Sequence, residues 1–351
     1  MLYIRRLRVC SFTAFEELNL EFASGVNVFV GENATGKSHL LKLLFACLRA
    51  LATGREIGKC LHNAFFPPNE PAAMQLGRLV RRGVGDAKAF VRIDFSRGSL
   101  EFEFSRKAYS RVRVTSSPPP EMFKGLGTVF VPPEEMLVHA PGFYQLWVEG
   151  GLHFDETYAE VVRIAGKKPR RGPRRREWSG LLARIEDMLG IRPRTLDGVY
   201  AKGGKFFLRS KQGEIEFELV SEGYRSLALI WLLVRNGSLG GKRVLLWDEP
   251  EAHICPTRMQ LLAEILWSLT DQGAQIFLAT HNYFFLKHLE LQRANRSWRV
   301  HSLYFAEPSK RLVKCESHED IYALQQNPVI GAFNQIRELE IKRAFPEGES
   351  Q

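Results

Sequence analysis

A glycine-rich segment of eight residues constrains the fold of this chain more than any other feature of its sequence. Residues 31–38 read GENATGKS and match the pattern G-x-x-x-x-G-K-S at every defined position. The apolar run VNVFV precedes the segment, and apolar residues at helical spacing follow it over residues 37–51. Strand, glycine loop and helix in this order are typical of a phosphate-binding loop, because backbone N–H groups and the helix N-terminus converge on phosphate oxygens.

The residue types in this loop predict its chemistry. We expect Lys37 to reach the β- and γ-phosphates and the Ser38 hydroxyl to hold Mg²⁺. ATP and Mg²⁺ are therefore the predicted cofactors. The other predicted nucleotide-binding residues of the loop are Gly31, Asn33, Ala34, Thr35 and Gly36.

Two further polar groups follow apolar strands in the second half of the chain. Residues 244–251 read VLLWDEPE, so a strand delivers Asp248 at its carboxyl end, the edge at which parallel sheets bind ligands. We expect Asp248 to bind Mg²⁺ directly or through water, and Glu249 to orient the attacking water as the base. His281 follows the run QIFLA, where it is either a structural histidine or a hydrogen-bond partner of the γ-phosphate. Lys37, Glu249 and His281 are the predicted catalytic residues.

The segment VSEGY, residues 220–224, opens a helix that we predict over residues 223–236. Ser221 is suited to the N-cap position of that helix, and capping alone would explain it. Alternatively, Ser221, Gly223 and the helix N-terminus bind a γ-phosphate held by another subunit. The residues of this element leave both interpretations open.

The remaining pattern predicts an α/β protein with a mainly parallel core sheet, because strands and helices alternate through the second half. Alternation with period two predicts hairpins over residues 89–104 and 205–219. We divide the chain into an N-terminal ATPase lobe over 1–139, an inserted lid segment over 140–204 and a C-terminal ATPase lobe over 205–351.

The motifs occur in the order and spacing of ABC-type ATPases, and nearly the whole chain resembles that superfamily. The matching elements are the Walker A motif at 31–38, a degenerate signature at 220–224, the Walker B motif at 244–249, a D-loop-like stretch at 251–256, and the switch histidine His281. The resemblance implies a P-loop NTPase fold, an ABC-ATPase head with antiparallel β hairpins and an inserted helical lid lobe. It also implies that two heads enclose two nucleotides, so that Ser221 and Gly223 serve the ATP of the other subunit.

Within the superfamily the chain looks like the OLD/RecF-type ATPases, of which bacterial defence and DNA-repair systems use many. The features that carry this resemblance are Phe12, Phe15, GENATGKSHLLKLL, SEGYRS, DEPEAHICP and ATHN. They imply an ATPase that gates a separate effector, a nuclease or toxin, in a nucleic-acid-linked process such as anti-phage defence. The alternatives are a nucleotide-bound scaffold with negligible turnover and a RecF-like DNA-repair ATPase. Transporter heads usually continue the Walker B motif with Ser/Thr-Ala-Leu-Asp, which differs from this chain.

Two positions depart from the pattern of the superfamily. The sequence shows no clear Q-loop glutamine, and TVFVPPEE over residues 128–135 lies about where the Q-loop belongs. Glu134, Glu135 and Gln145 are therefore the candidates for its role. The signature carries Glu222 where a glycine is usual.

Several classes of protein are excluded by what the sequence lacks. Without sustained heptads or a C-x-x-C pair, long coiled-coil arms and a zinc hook are not expected. Residues 282–351 contain one aspartate, Asp320, so the D-x-D pair of a TOPRIM nuclease is absent and we expect the effector to be a separate chain. No apolar run reaches 18 residues, and residues 1–10 lack a signal-peptide core, which together predict a cytoplasmic protein without a membrane partner.

The positive charge of the chain is concentrated in one segment. The formal net charge is +10, and residues 163–176 hold eight cations and no acid. Such a segment binds nucleic-acid phosphates, binds an acidic protein surface, or is a solvated insertion without a specific partner. The predicted partners are therefore a second copy of the chain at the ATP site and DNA or RNA at this basic segment. The candidate residues for this contact are Arg170, Arg171, Arg174, Arg175 and Arg176.

Overall fold

The computed structural model describes residues 2–67, 76–83, 87–150, 152–168, 176–191, 198–239, 243–307 and 311–345. Its strands are β1 Ile4–Phe12, β2 Phe15–Glu21, β3 Val26–Gly31, β4 Lys88–Phe95, β5 Ser99–Ser105, β6 Arg113–Ser116, β7 Gly127–Val131, β8 Gly198–Lys202, β9 Lys205–Ser210, β10 Gly213–Glu216, β11 Arg243–Asp248, β12 Ala274–Thr280, β13 Trp298–Glu307 and β14 Leu312–His318. Its helices are α1 Lys37–Thr53, α2 Ile57–Phe65, α3 Ala140–Val148, α4 Glu156–Ala165, α5 Arg176–Met188, α6 Glu222–Arg235, α7 Met259–Asp271, α8 Tyr283–Gln292 and α9 Pro328–Ala344.

The central sheet has six strands in the order β14-β13-β3-β12-β11-β7. Every pair from β13 to β7 is parallel, and β14 runs antiparallel along one edge. β3 and β12 are buried at every position, as expected for parallel strands covered on both faces. The predicted parallel core sheet is therefore confirmed, and the carboxyl ends of β3, β11 and β12 lie at one edge.

Alternating side chains of the central sheet enter two different hydrophobic clusters. Val28, Leu245 and Trp247 pack on one side with helices α4 to α8. Phe29 and Leu246 pack on the other side with α1, α2 and a second sheet. This arrangement follows from the period of two along a strand, and it makes the sheet the middle layer of the molecule.

The second sheet is antiparallel, with five strands in the order β2-β1-β4-β5-β6. The hairpin predicted over residues 89–104 is its β4–β5 pair, and Gly98 adopts a left-handed φ of 76° in the turn. The hairpin predicted over 205–219 forms β9 and β10, to which β8 adds a third strand. Both hairpins are confirmed.

Helices α3, α4 and α5 occupy much of the segment that we assigned to an inserted lid. The acidic N-terminal part of α4 lies against α1, the helix that follows the phosphate-binding loop. Lys42 Nζ is 2.5 Å from Asp155 Oδ2, and Arg49 contacts Glu156 at 3.3 Å and Glu160 at 2.9 Å. The division of the chain into lobes at residues 139 and 204 stays a prediction.

The five cysteines are free thiols in different surroundings. Cys47 and Cys60 are buried, Cys10 and Cys315 are partly buried, and Cys255 is exposed. Among the described helices none combines the length and apolar character that crossing a bilayer requires.

Of the basic segment, residues 169–175 lie outside the described part of the chain, and α5 begins at Arg176.

Candidate nucleotide site

The phosphate-binding loop joins β3 to α1 through backbone conformations that few side chains tolerate. Gly31, Ala34 and Gly36 have φ values of 153°, 64° and 93°. Gly36 occupies the N-cap position of α1 and supplies no side-chain cap, so the first N–H groups of the helix are left for a ligand. A Cβ atom at position 36 would lie 2.6 Å from Cζ of Phe15, so steric crowding also favours glycine at this position.

Lys37 is held inside the loop that it terminates. Its Nζ donates to the carbonyl oxygens of Gly31 at 2.8 Å and Glu32 at 2.9 Å, while Thr35 Oγ1 donates to the same Glu32 oxygen at 2.8 Å. Burial lowers the pKa of Lys37, and the nearby carboxylates, Asp248 foremost, partly oppose that shift. The ammonium group is therefore held by two carbonyl oxygens of the glycine-rich loop.

The two predicted Mg²⁺ ligands, Ser38 and Asp248, lie near each other. Asp248 ends β11, and burial raises the pKa of its carboxyl group. The nearby Ser38 side chain acts in the opposite direction, because it stabilises the ionised carboxylate. Within the described residues no group of three or more His, Cys, Asp or Glu side chains is arranged to hold a metal. A hydroxyl and one carboxylate are nevertheless the donor set that Mg²⁺ uses when nucleotide phosphates and water complete its shell.

Glu249 and His281 lie side by side at the same edge of the sheet. The backbone N–H of Glu249 donates to the carbonyl of Ala279 at 2.9 Å, which ties the end of β11 to β12. Glu249 Oε1 is then 3.3 Å from His281 Nδ1. Glu249 also has a φ of 50°, a left-handed conformation that costs energy in a non-glycine residue and is common at functional sites.

A buried carboxylate next to this pair was missed by the sequence reasoning as a site residue. Glu251 is buried, and its Oε1 accepts a hydrogen bond from Thr280 Oγ1. Burial raises the pKa of Glu251 to about 7, although the Thr280 hydrogen bond opposes the shift. The same Thr280 Oγ1 accepts from the backbone N–H of Asn282 at 3.0 Å, so Glu251 is linked to the loop that carries His281.

The signature segment packs against the D-loop-like stretch of its own chain. Ser221 occupies the N-cap position of α6, yet its side chain makes no capping hydrogen bond and is exposed. The structure therefore disagrees with capping as its role. A Cβ on Gly223 would meet the backbone oxygen of His253 at 2.7 Å, and Glu222 Oε2 is 2.8 Å from His253 Nδ1. The unusual Glu222 thus has a partner within the chain.

The Q-loop candidates lie in three different surroundings. Glu135 is buried and forms an ion pair with Arg225 of α6, with Oε2 2.9 Å from Nε. Burial raises the pKa of Glu135, and Arg225 is among the groups that oppose the shift. Glu134 accepts a hydrogen bond from Tyr158, and Gln145 is exposed and bonds Glu149 in its own helix. Arg225 was not singled out by sequence reasoning, although its place three residues after Glu222 put it on the signature helix.

The structure thus gathers the predicted residues of the P-loop with Asp248, Glu249 and His281 at one edge of the central sheet. Ser221 and Gly223 lie at the start of α6, where Ser221 is exposed and Gly223 is partly buried. The arginines predicted to bind nucleic acid are not placed: Arg170, Arg171, Arg174 and Arg175 lie outside the described residues, as does the side chain of Arg176.

Two family models match the chain, and between them they cover these motifs. One is described as "AAA domain" and matches residues 6–120, which include the phosphate-binding loop. The other is described as "AAA domain, putative AbiEii toxin, Type IV TA system" and matches residues 140–287, which include the signature, Asp248 and His281. Each match covers less than half of the chain, so the chain is similar to AAA domains over these two stretches.

Curated relatives match shorter stretches of the chain. The DNA replication and repair protein RecF of Cytophaga hutchinsonii is 27% identical over 116 residues, which are 32% of this chain and 28% of that protein. The RecF protein of Clostridium kluyveri is 39% identical over 46 residues, which are 13% of each chain. The matched stretches thus span less than a third of either relative.

Solved structures match over most of the chain. The Smc head domain of Pyrococcus furiosus, bound to the C-terminal domain of ScpA, has a TM-score of 0.54 at 12% identity, covering 97% of this chain and 100% of that one. The SMC head domain of Thermotoga maritima has a TM-score of 0.50 at 14% identity, covering 90% of this chain and 99% of that one. At these identities the similarity establishes the fold, and the predicted ABC-ATPase head is confirmed.

Proposed function

We propose that this protein is a Mg²⁺-dependent ATPase that dimerises around ATP and gates a separate effector, a nuclease or toxin, in a nucleic-acid-linked process such as anti-phage defence. The observation that carries the enzymatic part is the meeting of Lys37, Ser38, Asp248, Glu249 and His281 at one edge of the sheet. The gating role rests on the resemblance to OLD/RecF-type ATPases, in which closing and opening of a dimer makes a two-state switch.

Each side chain has a defined task in this proposal. Lys37 donates to the β- and γ-phosphate oxygens in place of the two loop carbonyls that it now contacts, and so offsets the charge that develops during transfer. Ser38 and Asp248 hold Mg²⁺, which when bound neutralises phosphate charge. Glu249 orients the attacking water and accepts its proton. His281 contacts the γ-phosphate, and its position beside Glu249 makes the base sensitive to whether that phosphate is present.

Ser221 and Gly223 complete the site of a second copy in this proposal. The free hydroxyl of Ser221 and the uncapped N–H groups of α6 suit a phosphate, because both are hydrogen-bond donors at the positive end of a helix. From the resemblance to ABC-type ATPases we expect them to lie opposite the P-loop of the partner. ATP is then enclosed between two chains, and hydrolysis releases them.

The test is the variant Glu249→Gln, which keeps the shape of the side chain and removes the base. We expect phosphate release to stop while ATP and Mg²⁺ still bind, so that the variant accumulates as an ATP-bound dimer in size-exclusion chromatography with light scattering. Lys37→Ala is the matched control, because it removes the phosphate contact and should prevent both hydrolysis and dimer formation. Undiminished phosphate release by Glu249→Gln would refute the assignment of the base.

Two alternatives have specific observations in their favour. Glu222 of the signature contacts His253 and Arg225 of its own chain. Contacts within one chain rather than with a second copy are expected for a nucleotide-bound scaffold with negligible turnover. Turnover slower than about 0.01 s⁻¹, the rate of slow P-loop GTPases, both with and without DNA, would favour the scaffold. The matches to RecF favour a DNA-repair ATPase, and stimulation of phosphate release by DNA without any effector chain would support it.

Nucleic-acid binding is proposed for the basic segment. Neutralising its arginines should weaken binding and reduce the dependence of affinity on salt, because each lost phosphate contact releases one counterion fewer. Titrations of labelled DNA and RNA at several salt concentrations measure both effects, and an unchanged curve would refute the assignment. The residues to be replaced are Arg170, Arg171, Arg174, Arg175 and Arg176.

A further inference from the structure

A second polar cavity lies at the edge of the central sheet opposite the nucleotide site. It has a volume of about 360 Å³ and is lined by the first residues of β7 and β11, by the carboxyl-terminal parts of α1 and α4, and by residues 236–238, which follow α6. Gly127 and Arg243, which begin β7 and β11, are direct neighbours in the parallel pair. Asp248 ends β11, so at about 3.3 Å per residue the cavity lies roughly 17 Å from the predicted Mg²⁺ ligands. It is therefore separate from the nucleotide site.

The charged side chains that line this cavity are mostly cations. Arg49, Arg163, Lys167 and Arg243 contribute positive charge, and Glu160 is the single carboxylate among the described lining residues. Glu160 is already shared, because it bonds Arg163 through both of its oxygens and Arg49 through one. Arg49 is also paired with Glu156, so the four lining cations share two carboxylates among the described residues.

The cations are close enough to repel one another. The pKa of Lys167 is lowered by burial and then by Arg163, with further contributions from Arg243 and Arg49, and only Glu160 opposes these effects. Like charges held together in partial burial are unfavourable unless an anion joins them. An anion in the cavity would relieve this repulsion, which gives it a source of binding free energy.

Hydrogen-bond donors without partners lie in the same walls. Thr128 Oγ1, Ser238 Oγ and Arg49 Nε are buried atoms that make no hydrogen bond, and all three residues line the cavity. Buried polar atoms in native proteins are nearly always paired, so these three donors lack an acceptor. They have almost no accessible surface, so each side chain has to turn toward the cavity before it can bond a ligand there. The acceptor has to be anionic and rich in oxygen to match both the donors and the charge.

We propose that this cavity binds a phosphate group, supplied either by a nucleic-acid backbone or by a small phosphorylated compound. A phosphate presents several acceptor oxygens and up to two negative charges, which fits the unpaired donors and the surplus of cations. Arg163 and Lys167, which line the cavity, also belong to the basic segment 163–176. The proposal does not depend on ATP hydrolysis, because it involves none of the residues of the nucleotide site.

Charge reversal at two neighbouring lysines tests the proposal. Lys167 lines the cavity and the adjacent Lys168 does not, so Lys167→Glu and Lys168→Glu change the net charge equally and differ only in position. Both are made in the Lys37→Ala background, so that the P-loop contributes little to phosphate binding. Pyrophosphate binding is measured by isothermal titration calorimetry, and thermal melts verify that the variants are folded. Thr128→Val, which removes one unpaired hydroxyl without changing charge, is the second variant.

We expect Lys167→Glu to weaken pyrophosphate binding at least about tenfold, since a charge-assisted hydrogen bond is lost. Thr128→Val should weaken it roughly two- to tenfold, the effect of one neutral hydrogen bond, and Lys168→Glu should leave it nearly unchanged. Absence of saturable pyrophosphate binding, or an equal loss in both lysine variants, would overturn the proposal.

Fluorescence anisotropy of a labelled oligodeoxynucleotide identifies the source of the phosphate. If pyrophosphate displaces the oligonucleotide, and Lys167→Glu weakens its binding more than Lys168→Glu, the phosphate belongs to a nucleic-acid backbone. If only pyrophosphate binding responds to Lys167→Glu, it belongs to a small compound.

Discussion

Removing the charge of Glu251 should stabilise the protein, and the gain should grow with pH. Glu251 is buried, one of its carboxylate oxygens has no hydrogen-bond partner, and burial raises its pKa to about 7 from an ordinary value of 4.5. Between these two values the unfolded chain has lost the proton and the folded chain still holds it. Rising pH therefore favours the unfolded state across this window, and above pH 7 the loss of stability is complete.

The size of the effect follows from the two pKa values. A shift of this size corresponds to about 3 kcal/mol at pH 8 and to less than about 1 kcal/mol at pH 5. Glu251→Gln has no proton to lose and keeps a side chain that can accept the Thr280 hydrogen bond. Relative to wild type, the variant should gain about 2.5 kcal/mol between pH 5 and pH 8, which is roughly 3 °C in melting temperature for a chain of this length.

The assay is thermal unfolding of wild type and variant at both pH values, without nucleotide. Glu338→Gln is the matched control, because Glu338 is exposed on α9 and its replacement should shift the melting temperature equally at both pH values. Between pH 5 and pH 8 His301 binds a proton in the unfolded chain and not in the folded one, because burial lowers its pKa from 6.5 to about 3. This contribution is the same in wild type and variant, so it cancels in the difference between them. A difference for Glu251→Gln that is the same at pH 5 and pH 8 would refute the reasoning.

Three further substitutions test the packing around the site. Gly36→Ala should abolish binding of a fluorescent ATP analogue and lower the free energy of unfolding by about 1–3 kcal/mol. The reason is that the left-handed φ of Gly36 and its contact with Phe15 leave no room for Cβ. Retained binding would contradict this. Arg49→Ala should lower the free energy of unfolding in urea by about 3 kcal/mol, since it removes a cation from two buried carboxylates. A change within about 0.5 kcal/mol, as at an ordinary surface site, would show that its ion pairs do not stabilise the fold. Asn282→Ala should cost about 1 kcal/mol through loss of the α8 cap, and an unchanged midpoint of chemical unfolding would argue against that cap.

The nucleotide site was predictable from the sequence to the extent that its residues lie in local motifs. Lys37 and Ser38 are set by a strand, a glycine loop and a helix within one short segment, and Glu249 and His281 each directly follow an apolar strand. Parallel strands bring their carboxyl ends to one edge, so the meeting of these residues follows from the topology.

Contacts between distant segments were not predictable in the same way. Lys42 and Asp155 are separated by 113 positions, and neither belongs to a pattern that indicates the other. The pair of Glu135 with Arg225 is a further example, because a surface ion pair and a buried one look alike in sequence. The second cavity draws its walls from several parts of the chain, and its existence depends on how they pack rather than on any one of them.

The ion pairs between α1 and α4 limit how the inserted segment can be exchanged or deleted. Asp155, Glu156 and Glu160 are buried acids that pair with Lys42 and Arg49 of α1, while Arg55 and Arg163 add further ion pairs. A chimera that received this segment from another protein would have to supply acids at matching positions, or Lys42 and Arg49 would face an apolar surface. Successful grafts should therefore exchange α1 and α4 together, as one cassette.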